Sequence, residues 1–175
     1  MENYTNEPID TAVLPRFEEV ILNRLQPEYV KIIWLNLILI FTGVALVASA
    51  AFYFIEEIRH AWPIVIIVYV LAFGLSVTLS LISFRNKGYA FRTQDAIYRS
   101  GAIGITTTII PYNRVQHVAL HEGFISRKLG LAKIEIFTAG GDKSDIQIPG
   151  IEREHAEKIK QLLMGKIIKE KADEN

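Results

Sequence analysis

Two stretches of the chain carry no charged residue: Ile32 to Ile55 and Ile64 to Ser83. At ~1.5 Å rise per residue they form helices about 36 Å and about 30 Å long, enough to cross a ~30 Å hydrocarbon core. A helix in a soluble protein keeps a polar stripe toward water, and neither run has one. The pattern predicts two transmembrane helices joined in a hairpin through the short connection Glu56 to Ala61. Aromatic rings fall where headgroups would lie: Tyr29, Trp34, Phe52, Tyr53 and Phe54 on the first helix, and Trp62, Phe84 and Tyr89 about the second. Such rings bury an apolar body and keep a polar tip wet. Pro63 sits in the first turn of the second helix, where its missing N–H costs no hydrogen bond. Small residues recur every four positions, Ala45 and Ser49 on one helix and Ala72, Ser76 and Ser80 on the other, a spacing that lets backbones approach closely. The triplet Ala48-Ser49-Ala50 matches a signal cleavage site, but a long segment containing acids precedes the run where a signal peptide has a short basic one.

After Gly88 the period changes. Gly88 to Arg92, Ala96 to Ser100, Ile103 to Pro111 and Asn113 to His121 are short runs rich in β-branched and aromatic residues, which suit a pleated, half-buried surface. Leu131 to Thr138 alternates, with Ala132, Ile134, Ile136 and Thr138 on one face. Gly140-Gly141-Asp142 is a hairpin turn signal, and Asp145 to Ile148 returns from it. Phe124 to Leu129 predicts a helical turn. Past Pro149-Gly150 the spacing turns helical, with Ile151, His155, Ile159, Leu162, Leu163 and Ile167 as one stripe. The N-terminal flank is polar to Pro15. Phe17, Val20, Ile21 and Leu25 then recur at helical spacing, which fits either a short interfacial helix or a stretch packed on the soluble part.

Composition agrees with this division. Of the 175 residues, 50% are hydrophobic and none is cysteine, which excludes disulfides, thiolate nucleophiles, Cys-ligated zinc and iron–sulfur clusters. Residues 1–84 hold four Lys/Arg against eight acids, a balance of −4, and residues 85–175 hold the other fifteen against eleven, +4. That excess suits a domain beside anionic headgroups and is too small and mixed for nucleic acid. The hairpin turn has one Arg, Arg59. The opposite flanks carry Arg16, Arg24, Lys31, Arg85, Lys87 and Arg92, which places both termini in the cytoplasm.

Three segments resemble a known family: Pro111-Tyr112-Asn113-Arg114-Val115-Gln116, Arg127-Lys128-Leu129-Gly130-Leu131 and Thr138-Ala139-Gly140-Gly141. They are similar to the bacterial pleckstrin-homology (PH) domain family of membrane proteins, the YdbS-like group. The resemblance covers residues 28–165 and is most specific over 88–150. It implies an α+β chain: a two-helix transmembrane hairpin, then a pleckstrin-homology-like antiparallel β-barrel with a C-terminal capping helix. It also implies a bacterial cytoplasmic membrane location and no catalytic activity. Relatives often carry Gln before the central turn. Here His121, Glu122 and Ser126 stand there, so contacts made by those glutamines do not carry over. The expected division is a tail at 1–31, the hairpin at 32–84, the PH-like domain at 85–168 and a tail at 169–175.

Candidate chemistry is sparse. His117 and His121 would lie about 13 Å apart on a strand, too far to share one ion with ~2 Å bonds. Gly140-Gly141-Asp142-Lys143-Ser144 lacks the phosphate-loop spacing. No nucleophile, base and orienting group can be assembled, so no enzyme and no cofactor or metal is expected. Arg114 either pairs with an acid to fix the wall or binds an anion. Gln116 shares its face, and Arg127 and Lys128 stand together on a turn, so these four are the candidate anion or partner contacts. The first hairpin offers only Arg92 and Arg99, too few for a clustered phosphoinositide site. The leading expectation is a membrane-anchored, non-enzymatic binding or scaffold module that presents its domain to a protein partner at the cytoplasmic face. That partner is another membrane protein or a second copy, since strand addition needs little sequence signature. The alternative is a sensor of anionic lipid headgroups through the basic loops.

Overall fold

A computed structural model describes residues 19–56, 60–138 and 145–173. The expectations for residues 1–18, for the middle of the turn at 57–59 and for the hairpin Gly140-Gly141-Asp142 lie outside these residues. Helices α1 (Tyr29–Phe54) and α2 (Trp62–Asn86) overrun the uncharged stretches at most ends, and both are long and apolar enough to cross a membrane. Leu39, Val47, Ile67 and Leu71 lie exposed along them, an arrangement that water would penalise and lipid would not. The two helices meet through rings. Phe41 stands edge-on to Tyr69 at 5.5 Å and to Phe73 at 4.9 Å, and the Tyr69 hydroxyl donates to the Phe41 carbonyl at 3.1 Å. Of the small residues, Ala45, Ser76 and Ser80 are half-buried, while Ser49 and Ala72 remain exposed.

The rest of the chain is α+β, with two antiparallel sheets and a C-terminal helix. One sheet has the order β1 (Asn23–Arg24), β2 (Gly88–Phe91), β3 (Asp95–Ser100), β4 (Thr106–Pro111). The other has the order β5 (Val115–His121), β6 (Leu131–Thr138), β7 (Ile146–Glu152). The resemblance implied a closed barrel; the strand pairing found here runs in two separate sheets instead. A 3-10 turn at Tyr112–Arg114 parts β4 from β5, and on the other side a single backbone bond from Gln26 N–H to the Gly150 carbonyl (2.9 Å) bridges the sheets.

Strand alternation builds the core. Ala96, Tyr98 and Ile110 face inward from the first sheet, and Val118, Ile134, Ile136, Ile146 and Ile148 from the second. Helix α4 (Arg153–Asp173) packs over the second sheet with Ala156, Ile159, Leu163 and Ile167 buried. The predicted stripe is therefore shifted. Ile151 is buried as part of β7, and His155 and Leu162 face solvent. The reason is that β7 does not stop at Pro149-Gly150. A bulge in β7, where Pro149 and Gly150 stand opposite the single residue Lys133 between the Ala132 and Ile134 pairs, accommodates the proline, which has no N–H to donate, and Gly150 takes a positive φ of 66°. β4 also begins later than expected, at Thr106 rather than Ile103. Gly101, at φ 131°, packs so closely on the Gly104 carbonyl that a Cβ there would lie 1.8 Å from the oxygen, and Ile103 and Ile105 fall in this tight loop.

The N-terminal flank is part of this fold. Among residues 19–28 there is no α-helix; β1 pairs with β2 through Asn23↔Tyr89 and Arg24↔Gly88, and Leu25 is buried in the core. Tyr29 closes over Gly150, where a Cβ would come within 2.7 Å of the ring.

Connectivity gives the domain two poles. The helix-proximal pole holds Gly88, Arg99 and the loop 101–105, because β2 starts two residues after α2 ends and Gly88 pairs with Arg99. Gly150 and the short helix α3 (Phe124–Lys128), which packs beside α1, belong to the same pole. The distal pole holds the turn Arg92–Asp95, the 3-10 turn and the end of β6. There α4 arrives with Lys166, whose Nζ donates to the Thr93 carbonyl at 3.0 Å.

Candidate functional site

The four basic or polar candidates do not converge. Arg114 ends the 3-10 turn at the distal pole, exposed and with no ion-pair partner among the described residues. Gln116 is the extra residue of a register shift between Val115 and His117, so it stands exposed and out of the ladder. Arg127 and Lys128 close α3 at the other end of β5, about 20 Å away along the strand at ~3.3 Å per residue. Both are exposed, and the Lys128 ammonium lies over the Phe124 ring at 4.6 Å. Arg92 and Arg99 are likewise parted. Arg92 forks onto Asp95, with Nε donating to Oδ1 at 2.6 Å and a second N–H to Oδ2, and that bond holds the guanidinium pKa up. The histidines form no cluster. His117 stacks flat on Phe137 at 4.1 Å, and His155 stands edge-on to Tyr89. Among the described residues no three His, Asp or Glu side chains gather to hold a metal.

Two surfaces are built instead. The first is the free edge of β4. Thr108, Ile109, Ile110, Pro111, Arg114, Thr138 and Asp145 line an open groove of about 280 Å³ between that edge and the second sheet. Asp145 is engaged on its own strand pair, accepting from the Thr138 N–H (3.0 Å) and hydroxyl (2.6 Å). Ile109 is 40% exposed on this strand.

The second surface lies on the outer face of the first sheet at the helix-proximal pole. A cavity of about 610 Å³ is bounded by Val20, Leu22 and Arg24, by the end of α2 at Arg85, Asn86 and Lys87, and by Gly88, Ile97, Arg99, Ile105 and Thr107. Sequence reasoning missed it, because its cations come from three separated segments that only the register Arg24↔Gly88↔Arg99↔Thr107 unites.

Set against known proteins, residues 30–167 match the family described as "Bacterial PH domain", well over half of the chain. The chain belongs to the bacterial PH domain family. It is 30% identical over 144 residues to the UPF0699 transmembrane protein YdbS of Bacillus subtilis (strain 168), which covers 79% of this chain and 87% of that relative. No solved structure matches it. With the two long apolar helices, these matches make the protein a membrane protein carrying a bacterial PH domain. The resemblance read from the Pro111–Gln116, Arg127–Leu131 and Thr138–Gly141 segments is thus the family itself.

Proposed function

We propose that this bacterial PH domain protein is a non-enzymatic tether at the cytoplasmic face of the membrane, and that it takes an extended segment of another membrane protein along β4. The hairpin fixes location, and the two sheets under α4 serve as the capped PH-like scaffold that presents the edge. One observation carries the reading. Among the described residues β4 is an unpaired edge of three Thr and two Ile before Pro111, beside a groove that Arg114 lines. Edge strands are ordinarily blunted by charge, bulge, proline or cover; among the described residues β4 has no charge, bulge or cover, and its proline stands only at the distal end. Main-chain bonds would supply affinity and alternate side chains specificity. Confinement of both proteins to one membrane raises their effective concentration, so a short strand suffices.

A photoreactive residue placed at Ile109 in cells tests this. The expected result is one predominant adduct with a different membrane protein, lost when Thr107→Pro removes a strand N–H. Self-adducts would assign the edge to a second copy, and the absence of any protein adduct would remove the reading.

The alternative, headgroup sensing by Arg127 and Lys128, draws on one feature: α3 lies beside α1 with Phe124 63% exposed. It requires that Arg127→Ala/Lys128→Ala weaken association with anionic lipid about tenfold, at about 1 kcal/mol per cation. No change in that variant would discard it.

A further inference from the structure

We infer that the cavity between residues 20–24, the end of α2 and the outer face of β3 is a binding site for the phosphate of an anionic phospholipid headgroup. The cavity shares no lining residue with the groove at Arg114 and none with α3, although Thr107 of β4 borders it, and the inference goes beyond both readings.

Three arginines line the cavity, Arg24, Arg85 and Arg99, beside Lys87, whose ammonium lies over the Tyr29 ring at 5.9 Å; among the described residues no acid lines it. None of the four has an ion-pair partner among the described residues, whose pairs are Arg92–Asp95, Lys133–Glu135, Arg153–Glu122 and Arg153–Glu157. Like charges gathered around one space repel each other unless an anion enters. The Arg99 Nε is shut off from solvent and has no hydrogen-bond partner among the described residues, and a shielded donor of this kind costs free energy until an acceptor reaches it. Burial holds the Lys87 pKa down, with the ammonium over the Tyr29 ring rather than in water.

Position selects the anion. Arg85 lies in the last turn of α2, a helix apolar enough to span a bilayer, so the cavity opens at headgroup depth. Ile103 and Ile105 stand beside it, 89% and 49% exposed, in the loop that Asn86 Nδ2 ties to α2 through the Gly101 carbonyl at 3.2 Å. An apolar loop next to a cationic cavity matches a molecule with a phosphate and two acyl chains better than a soluble phosphate. Guanidinium groups suit phosphate oxygens because they can donate two parallel bonds.

The full chain in neutral detergent, studied by native mass spectrometry with phosphatidylglycerol, phosphatidylcholine and inorganic phosphate, tests the inference. One phosphatidylglycerol molecule should be retained in preference to phosphatidylcholine. Arg85→Gln/Arg99→Gln should weaken that retention about tenfold or more, while Arg127→Ala/Lys128→Ala leaves it unchanged. Inorganic phosphate should not displace the lipid. Equal retention of the two lipids by the unaltered protein overturns the inference without recourse to any variant, so a misfolded variant cannot shield it. Loss confined to the Arg127/Lys128 variant, displacement by inorganic phosphate, or preference that appears only after residues 2–18 and their acids are removed would each overturn it as well.

Discussion

Tyr98 and Tyr112 show how single side chains in the domain join local geometry to stability. Burial pushes each hydroxyl up to about 12, with the nearby Tyr29 adding to Tyr98 and Asp95 to Tyr112. Tyr112 also donates from its hydroxyl to the Arg92 carbonyl at 2.7 Å, and its N–H donates to the Gln94 carbonyl, so it holds the distal turn to the 3-10 segment. An unfolded tyrosine ionises near 10. The fold therefore favours the neutral phenols. Their contribution is complete below about pH 10 and is lost as pH rises toward 12. A pH series of unfolding should show stability falling across that window, with a smaller fall in Tyr98→Phe/Tyr112→Phe; an unchanged slope would contradict this. At this scale the sequence was least informative. Arg114 and Gln116 were visible as polar motif residues, yet Arg114 sits alone at a turn and Gln116 in a strand irregularity. Arg99 appeared only as one of two basic residues of the first hairpin, because the cations the fold brings near it, Arg24 across Gly88 and Arg85 at the end of α2, are distant in sequence.

Elements were far more legible, because their signals are periodic and local. The uncharged runs, the alternation of Leu131 to Thr138 and the helical spacing of Ile159, Leu163 and Ile167 all appear in the structure. Boundaries failed where tertiary context overrode punctuation. Pro149-Gly150 reads as a strand end, yet β7 runs through it, because Gly150 can adopt φ 66° and must lack a side chain under Tyr29. The N-terminal flank was ambiguous because the helical spacing of Phe17, Val20, Ile21 and Leu25 fitted either an interfacial helix or a stretch packed on the soluble part. Pairing of two residues with β2 decides it, leaving Ile21 92% exposed and Leu25 5% exposed. Leu25→Ala should cost about 2–5 kcal/mol, the usual range for a buried leucine. Hydrogen exchange in the full chain should speed up at the β2 and β7 amides and remain unchanged in α1 and α2. Unchanged exchange at β2 would mean that the flank is not part of the cooperative unit.

For the whole molecule, the hairpin and the domain are coupled by geometry. Tyr29 at the start of α1 packs on Phe84 near the end of α2, with ring centroids 6.4 Å apart, and closes over Gly150 of β7. The helix ends are thereby built into the domain, which cannot swing freely as a bead on a linker would. The helix-proximal pole, with Arg85, Lys87, Ile103 and α3, is held toward the bilayer. The distal pole, with Arg114 and the end of β4, points into the cytoplasm on the proposed orientation. The two proposals then divide the domain: lipid at one pole, protein along the edge that leads to the other. All of it depends on the domain lying on the side of the membrane opposite the hairpin turn, and on that side being the cytoplasm. This cysteine-free chain permits a direct measurement. Single cysteines at Glu57 and Ser144 are exposed to an impermeant thiol reagent in intact cells and again after lysis. The account predicts labelling of the Glu57 position in intact cells and of the Ser144 position only after lysis. Labelling of Ser144 but not Glu57 in intact cells would contradict it.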